Sequence, residues 1–155
     1  MTDTMDEQDT PEPLRALPSR MLSLVAMHAD RLVSEGLAGA DARKWHYAAL
    51  VALRESGPVS QAQLSRRTGV YRSDMVSVIN ELAGRGFVER TPDPDDRRRN
   101  VITITSQGRR HLERLDKLIA ELQDGLLAPL TQPERETLTG FLARLLAHHS
   151  RREAP

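Results

Sequence analysis

The chain contains no cysteine. That absence excludes disulfide stapling, thiol redox sensing and thiolate metal sites together. Aromatic side chains make up only 3% of its 155 residues, so a core has to come from Leu, Val, Ile and Ala. Such aliphatic side chains pack readily between helices. No run approaches the roughly 18 apolar residues of a membrane span, and no membrane partner is expected. Charge of one sign is also missing overall, because 22 bases balance 22 acids. Residues 1–13 have no base and carry Asp3, Asp6, Glu7, Asp9 and Glu12. That is the reverse of a secretory or transit peptide, so the cytoplasm is the expected compartment. With Pro11 and Pro13 in it, this stretch reads as a disordered acidic leader. A chain of this length fits one domain. Its thin aliphatic core favours a homodimer, in which a second copy completes the burial.

The charge that is present is unevenly placed. Between Ser60 and Arg114 eleven bases face seven acids, and every one of those bases is Arg. Arginine suits bidentate contact with phosphate and guanine. Charge alone is equally compatible with a solvated mixed surface.

Apolar periodicity divides the chain into helices. Leu14, Leu17, Met21, Leu24, Val25 and Leu32 recur at helical spacing, with Pro18 bending or delaying the helix and Gly36 and Gly39 ending it. A second helix is expected from about 42 to 56, capped by Asp41 and stopped by Gly57-Pro58. Ser60 and Gln63 form a capping box that opens a short helix, closed by Thr68-Gly69-Val70. Met75, Ile79 and Leu82 then define the buried stripe of a helix over about 72–84. The period changes at 87–91 and 100–105, which read as two β-strands joined by the charged loop Pro92 to Arg99. Thr105 or Ser106 caps a long helix to about Leu127, Pro129 breaks it, and a Thr131/Glu134 capping box starts a last helix to about His149.

The expected fold is therefore mainly α with a small β-hairpin wing: helix, turn, helix, then a hairpin with an Arg-rich tip. This winged helix-turn-helix plan suits duplex DNA. A helix N-terminus can enter the major groove while a cationic hairpin reaches phosphates or a narrow minor groove. On the exposed face of the 72–84 helix, Arg72, Ser73, Ser77 and Asn80 are candidates for base and phosphate contacts, although Ser77 and Asn80 read equally well as plain surface positions. Tyr71 is a poor N-cap. Either Ser73 caps a shortened helix, or Tyr71 is itself a DNA contact.

The run from Ser60 to Leu112 resembles the core of the multiple-antibiotic-resistance regulator (MarR) family. The likeness lies in Glu81-Leu82 with Arg85-Gly86-Phe87-Val88, in Asp96-Arg97-Arg98, and in Ile104-Thr105-Ser106-Gln107-Gly108, in that order and spacing. The resemblance extends over about 14–149. It implies one domain with a winged core at about 42–112, dimerisation helices at about 14–37 and 113–149, and a short tail at 150–155. It also implies that Arg98 is the wing-tip arginine of the minor groove, that Asp96 braces it, and that Arg97 and Arg99 assist at phosphates.

A repressor that leaves a palindromic operator when a small aromatic, phenolic or carboxylate effector binds is the function the resemblance implies. The effector cleft would draw on Met27, His28, Arg43, Trp45 and His46, with Arg15 or Arg20 as further carboxylate partners. Trp45 and His46 are as compatible with a core role, and Tyr47 reads as a core aromatic. Adjacent His148 and His149 point about 100° apart on a helix and chelate poorly, so no metal and no other cofactor is expected. No phosphate-binding Gly loop, nucleophile elbow or His-Glu-x-x-His run is present, which argues against an enzyme. A winged helix that binds only protein is the alternative, and three successive Arg in the wing speak against it.

Overall fold

A computed structural model describes residues 7–151. Of the expected leader, residues 1–6 lie outside the described residues. Glu7–Asp9 forms a 3-10 turn and α1 spans Glu12–Arg15, so this part of it is helical where a disordered chain was expected. Pro18 delays the next helix: it occupies the first turn of α2 (Pro18–Ala38), where its missing N–H has no partner to lose. Residues 152–155 of the expected tail are likewise outside the described residues.

The glycines near the end of α2 act differently from one another. Gly36 lies within the helix, where a Cβ would sit 2.5 Å from Leu122 Cδ1. It permits close approach of α6 (Ser106–Leu126) and does not terminate α2. Gly39 is the C-cap. Asp41 was the expected cap of the second helix, but it stands at φ 52, a left-handed conformation that Asp tolerates. The helix, α3 (Lys44–Ser56), begins later than expected. His46, three residues on, accepts the Arg43 N–H at 3.2 Å through Nδ1.

The next elements are β1 (Val59–Ser60), α4 (Gln61–Thr68), α5 (Arg72–Gly84), β2 (Val88–Pro92) and β3 (Asn100–Ile104). Ser60 Oγ accepts from Gln63 N at 3.2 Å, and Gln63 Oε1 accepts from Ser60 N at 2.9 Å. Gly69, at φ 72, closes α4 in the left-handed form that lacks a Cβ penalty. The wing is more than a hairpin. β3 lies between β1 and β2 in an antiparallel sheet of order β1-β3-β2, with Val59 opposite Ile102 and Val88 opposite Ile104.

Thr105, and not Ser106, caps α6 by accepting from Gly108 N at 3.0 Å, while its hydroxyl donates to Gly86 O at 2.6 Å. A Cβ at Gly108 would overlap the Phe87 carbonyl oxygen. The helix start is thus seated on the entry to the wing, which gives the Thr-x-x-Gly spacing a physical reason. The last helix, α7 (Gln132–Ser150), opens with the Thr131/Glu134 capping box and buries no residue. The core sits in the middle of the chain: Leu50, Leu53, Leu64, Met75, Ile79, Leu82, Ile102 and Leu112 are fully enclosed, joined by Leu37 and Leu115.

Candidate nucleic-acid interface

Burial fixes which face of α5 is free. Met75, Val78, Ile79 and Leu82 turn inward, and Val70 and Leu64 pin the preceding turn and helix. Arg72, Ser73, Ser77 and Asn80 remain exposed. Val76 joins them at 42% exposure, a residue the periodicity did not single out.

The start of α5 resolves the Tyr71 question in part. Tyr71 is the N-cap residue, makes no side-chain capping bond, and is 80% exposed. Ser73 lies inside the helix, so the expected shortening does not occur. The first intrahelical bond runs from Met75 N to Tyr71 O at 2.9 Å. No described side chain occupies the preceding N–H groups, which a phosphate oxygen could accept from.

The wing loop is ordered by its own acids. Asp93 N donates to Arg99 O at 2.8 Å, and Asp95 N donates to Asp93 Oδ1 at 2.9 Å. Asp96 Oδ1 accepts the Arg98 backbone N–H at 3.0 Å, and its Oδ2 lies 3.6 Å from Arg99 Nε. Asp96 thus holds the backbone of Arg98, while its ion pair is with Arg99. The side chains of Arg97 and Arg98 are exposed and have no ion-pair partner among the described residues. One bond joins wing to helix: Arg90 of β2 donates from Nη2 to Asn80 Oδ1 of α5. Arg90 escaped the sequence reading because its partner is on another element.

The effector candidates separate. Arg43 and His46 meet at Glu81, on the last turns of α5. His46 is 5% exposed, its Nε2 lies 2.6 Å from Glu81 Oε2, and Arg43 also pairs with Glu81. Since His46 Nδ1 accepts a backbone N–H, its proton belongs on Nε2, which donates to the carboxylate. Burial holds the His46 pKa below its ordinary value; the Glu81 bond opposes this, and Arg43 and Arg85 add to it. Glu81 is held below the usual carboxylate range by its bonds to Arg43 and then His46. A cavity of about 550 Å³ opens here, lined in part by Asp41, Arg43, His46, Glu81 and Arg85.

Met27, His28 and Trp45 are exposed and do not line it. Arg15 is on the exposed α1, and Arg20 donates to Thr10 Oγ1 at 3.4 Å. Tyr47 is half-buried and donates to Asp116 Oδ1 at 2.9 Å, tying α3 to α6. His111 stacks on Phe87 with centroids 4.2 Å apart, and the Arg85 guanidinium covers Phe87 at 4.8 Å. No group of three or more His, Asp or Glu able to hold a metal occurs among the described residues, and none of their helices is long and apolar enough to cross a membrane.

A profile of the MarR family matches residues 36–99. The chain spans 60–63% of the length of the first curated relatives it matches. A probable transcriptional regulator from Pseudomonas aeruginosa is 36% identical, with 85% of this chain and 98% of that one covered and a TM-score of 0.75. The transcriptional repressor CouR, solved on a 23-mer DNA duplex, is 26% identical over 87% of this chain and 96% of its own, with a TM-score of 0.78. The PcaV regulator of Streptomyces coelicolor, solved with its natural ligand, is 25% identical over 89% and 97%, with a TM-score of 0.73.

Proposed function

The chain belongs to the MarR family of winged helix-turn-helix transcriptional regulators, and we propose on that premise that it is a homodimeric repressor that binds a palindromic DNA operator. The observation that carries this reading is the bond between Arg90 and Asn80. It places the exposed face of α5 beside the wing, so the helix can lie in a major groove while Arg98 reaches the flanking minor groove. Two copies would set their α5 helices about one helical turn apart, ~34 Å. The likeness to CouR, itself solved on DNA, supports this reading.

Release would come from a small aromatic or anionic effector at the Arg43/His46 cavity. Glu81 belongs to α5, so a carboxylate that competes with it for Arg43 acts directly on the recognition helix. Such a ligand lowers DNA affinity only through unequal binding to the two states of the dimer. The likeness to PcaV, solved with a ligand, supports an effector of some kind.

The test is a titration of the chain against its own upstream intergenic duplex at two salt concentrations, beside a scrambled duplex. Selective, salt-sensitive binding is expected, because phosphate contacts release counterions. Arg98→Ala should weaken it about tenfold, the scale of one good groove contact, without changing oligomeric state. Equal affinity in the variant would remove Arg98 from the interface. No binding to either duplex at low salt would point to a protein partner.

A further inference from the structure

We propose that Val76 and Asn80 together read thymine in the major groove, with Arg90 as the positioning residue that restricts Asn80 to the role of donor. The proposal rests on α5 being the DNA-reading helix, and it specifies the base which that helix selects.

Val76 is an anomaly on its face. Its exposed neighbours Ser73, Ser77 and Asn80 are all polar, whereas Val76 presents a β-branched apolar surface at 42% exposure. An exposed Val gains little from burial, and its stiff side chain lowers helix propensity. Its position in line with Asn80, four residues on, puts the two side chains side by side.

Asn80 is held in one orientation. Asparagine recognises adenine by accepting from N6 and donating to N7 at once. Here Oδ1 already accepts from Arg90 Nη2, which holds the amide oxygen toward the wing and leaves the NH2 as the end of the amide with no partner among the described residues. A donor alone fits guanine O6 or N7, adenine N7, or thymine O4. Of these bases only thymine sets a methyl group beside the acceptor, and Val76 is the apolar surface that meets it. Glu81 stands next to Asn80 in the chain, but Arg43 and His46 hold its carboxylate, so it does not compete for the amide.

The experiment selects sites from duplexes carrying a randomised 20-base-pair segment, using the full-length chain. Each thymine of the preferred site is then replaced singly by deoxyuridine, which removes only the methyl. At one thymine per half-site the wild type should lose about fourfold in affinity, the scale of one buried methyl. Val76→Ala should lose nothing further at that position, and Arg90→Ala, by freeing the Asn80 amide to turn, should shift the preference there toward adenine. A uracil substitution that is neutral everywhere, or that affects Val76→Ala as much as the wild type, overturns the thymine assignment. Unchanged base preference in Arg90→Ala overturns the role of Arg90. Failure of the wild type to enrich any sequence overturns the DNA-reading role of α5 itself, and the thymine assignment falls with it.

Discussion

The winged lobe and the helices that flank it bury their apolar residues very differently. From α3 to the first half of α6, the large aliphatic side chains other than Val76 are buried or half-buried, and Leu50, Leu53, Leu64, Ile79, Leu82 and Leu112 are fully enclosed. In α1, the first half of α2 and α7 the same residue types face outward: Leu14, Met21, Leu22 and Val25 at one end, Phe141, Leu142, Leu145 and Leu146 at the other. A helix that exposes such a set is waiting for a surface. The lobe therefore closes its core with little help beyond Leu37 of α2, whereas the flanking helices offer an apolar stripe to the second copy proposed above. That division lets DNA contact and assembly be broken separately.

The largest effect should come from the lobe. Leu53→Ala removes a fully enclosed side chain from α3 and should cost about 2–5 kcal/mol in chemical denaturation. A loss well below 1 kcal/mol would mean the lobe is loosely packed. The next effect tests the other region. Phe141→Asp with Leu145→Asp puts two charges on the exposed stripe of α7, and sedimentation should then report a monomer whose secondary structure is retained. Operator affinity should fall roughly 100-fold or more, since two linked half-site contacts become independent. A dimer that survives this double substitution would move the interface elsewhere.

Much of the fold was legible because its signals are local. The capping boxes at Ser60/Gln63 and Thr131/Glu134, the left-handed turn at Gly69 and the 3.6-residue stripes are each written within a few residues. What escaped depends on distant partners. β1 is two residues long, too short for a period, and is defined only by pairing with β3. Asp41 looks like a cap, yet the acceptor that opens α3 is His46, which no capping pattern suggests when the N-cap is Arg. Gly36 reads as a helix stop until Leu122 is seen against it. The exposed face of α5 could be inferred by subtraction, whereas the Arg90–Asn80 bond and the Arg43–Glu81–His46 cluster required the tertiary fold.

The smallest effect sharpens the comparison through pH. Two buried histidines belong to the lobe and its seam with α2. His46 must be neutral for Nδ1 to accept the Arg43 N–H. His111, buried with an unpartnered Nε2, is held below its ordinary pKa by burial and then by Arg85 and Arg114. A histidine whose folded pKa lies below its unfolded value, about 6.5, takes up its proton first in the unfolded chain. Its contribution is therefore complete above that value and is lost as pH falls through it toward the folded pKa. Glu81 and Asp116 are depressed carboxylates, so their contributions survive to lower pH, and the two windows separate. Melting temperature should stay flat between pH 8 and 7 and drop by a few degrees between about 6.5 and 5. In a chain carrying His46→Gln, which keeps an acceptor at the third helical position, and His111→Leu, that drop should flatten. If the drop is undiminished, the acid sensitivity lies outside these two side chains, and the lobe loses its claim to be the pH-responsive region.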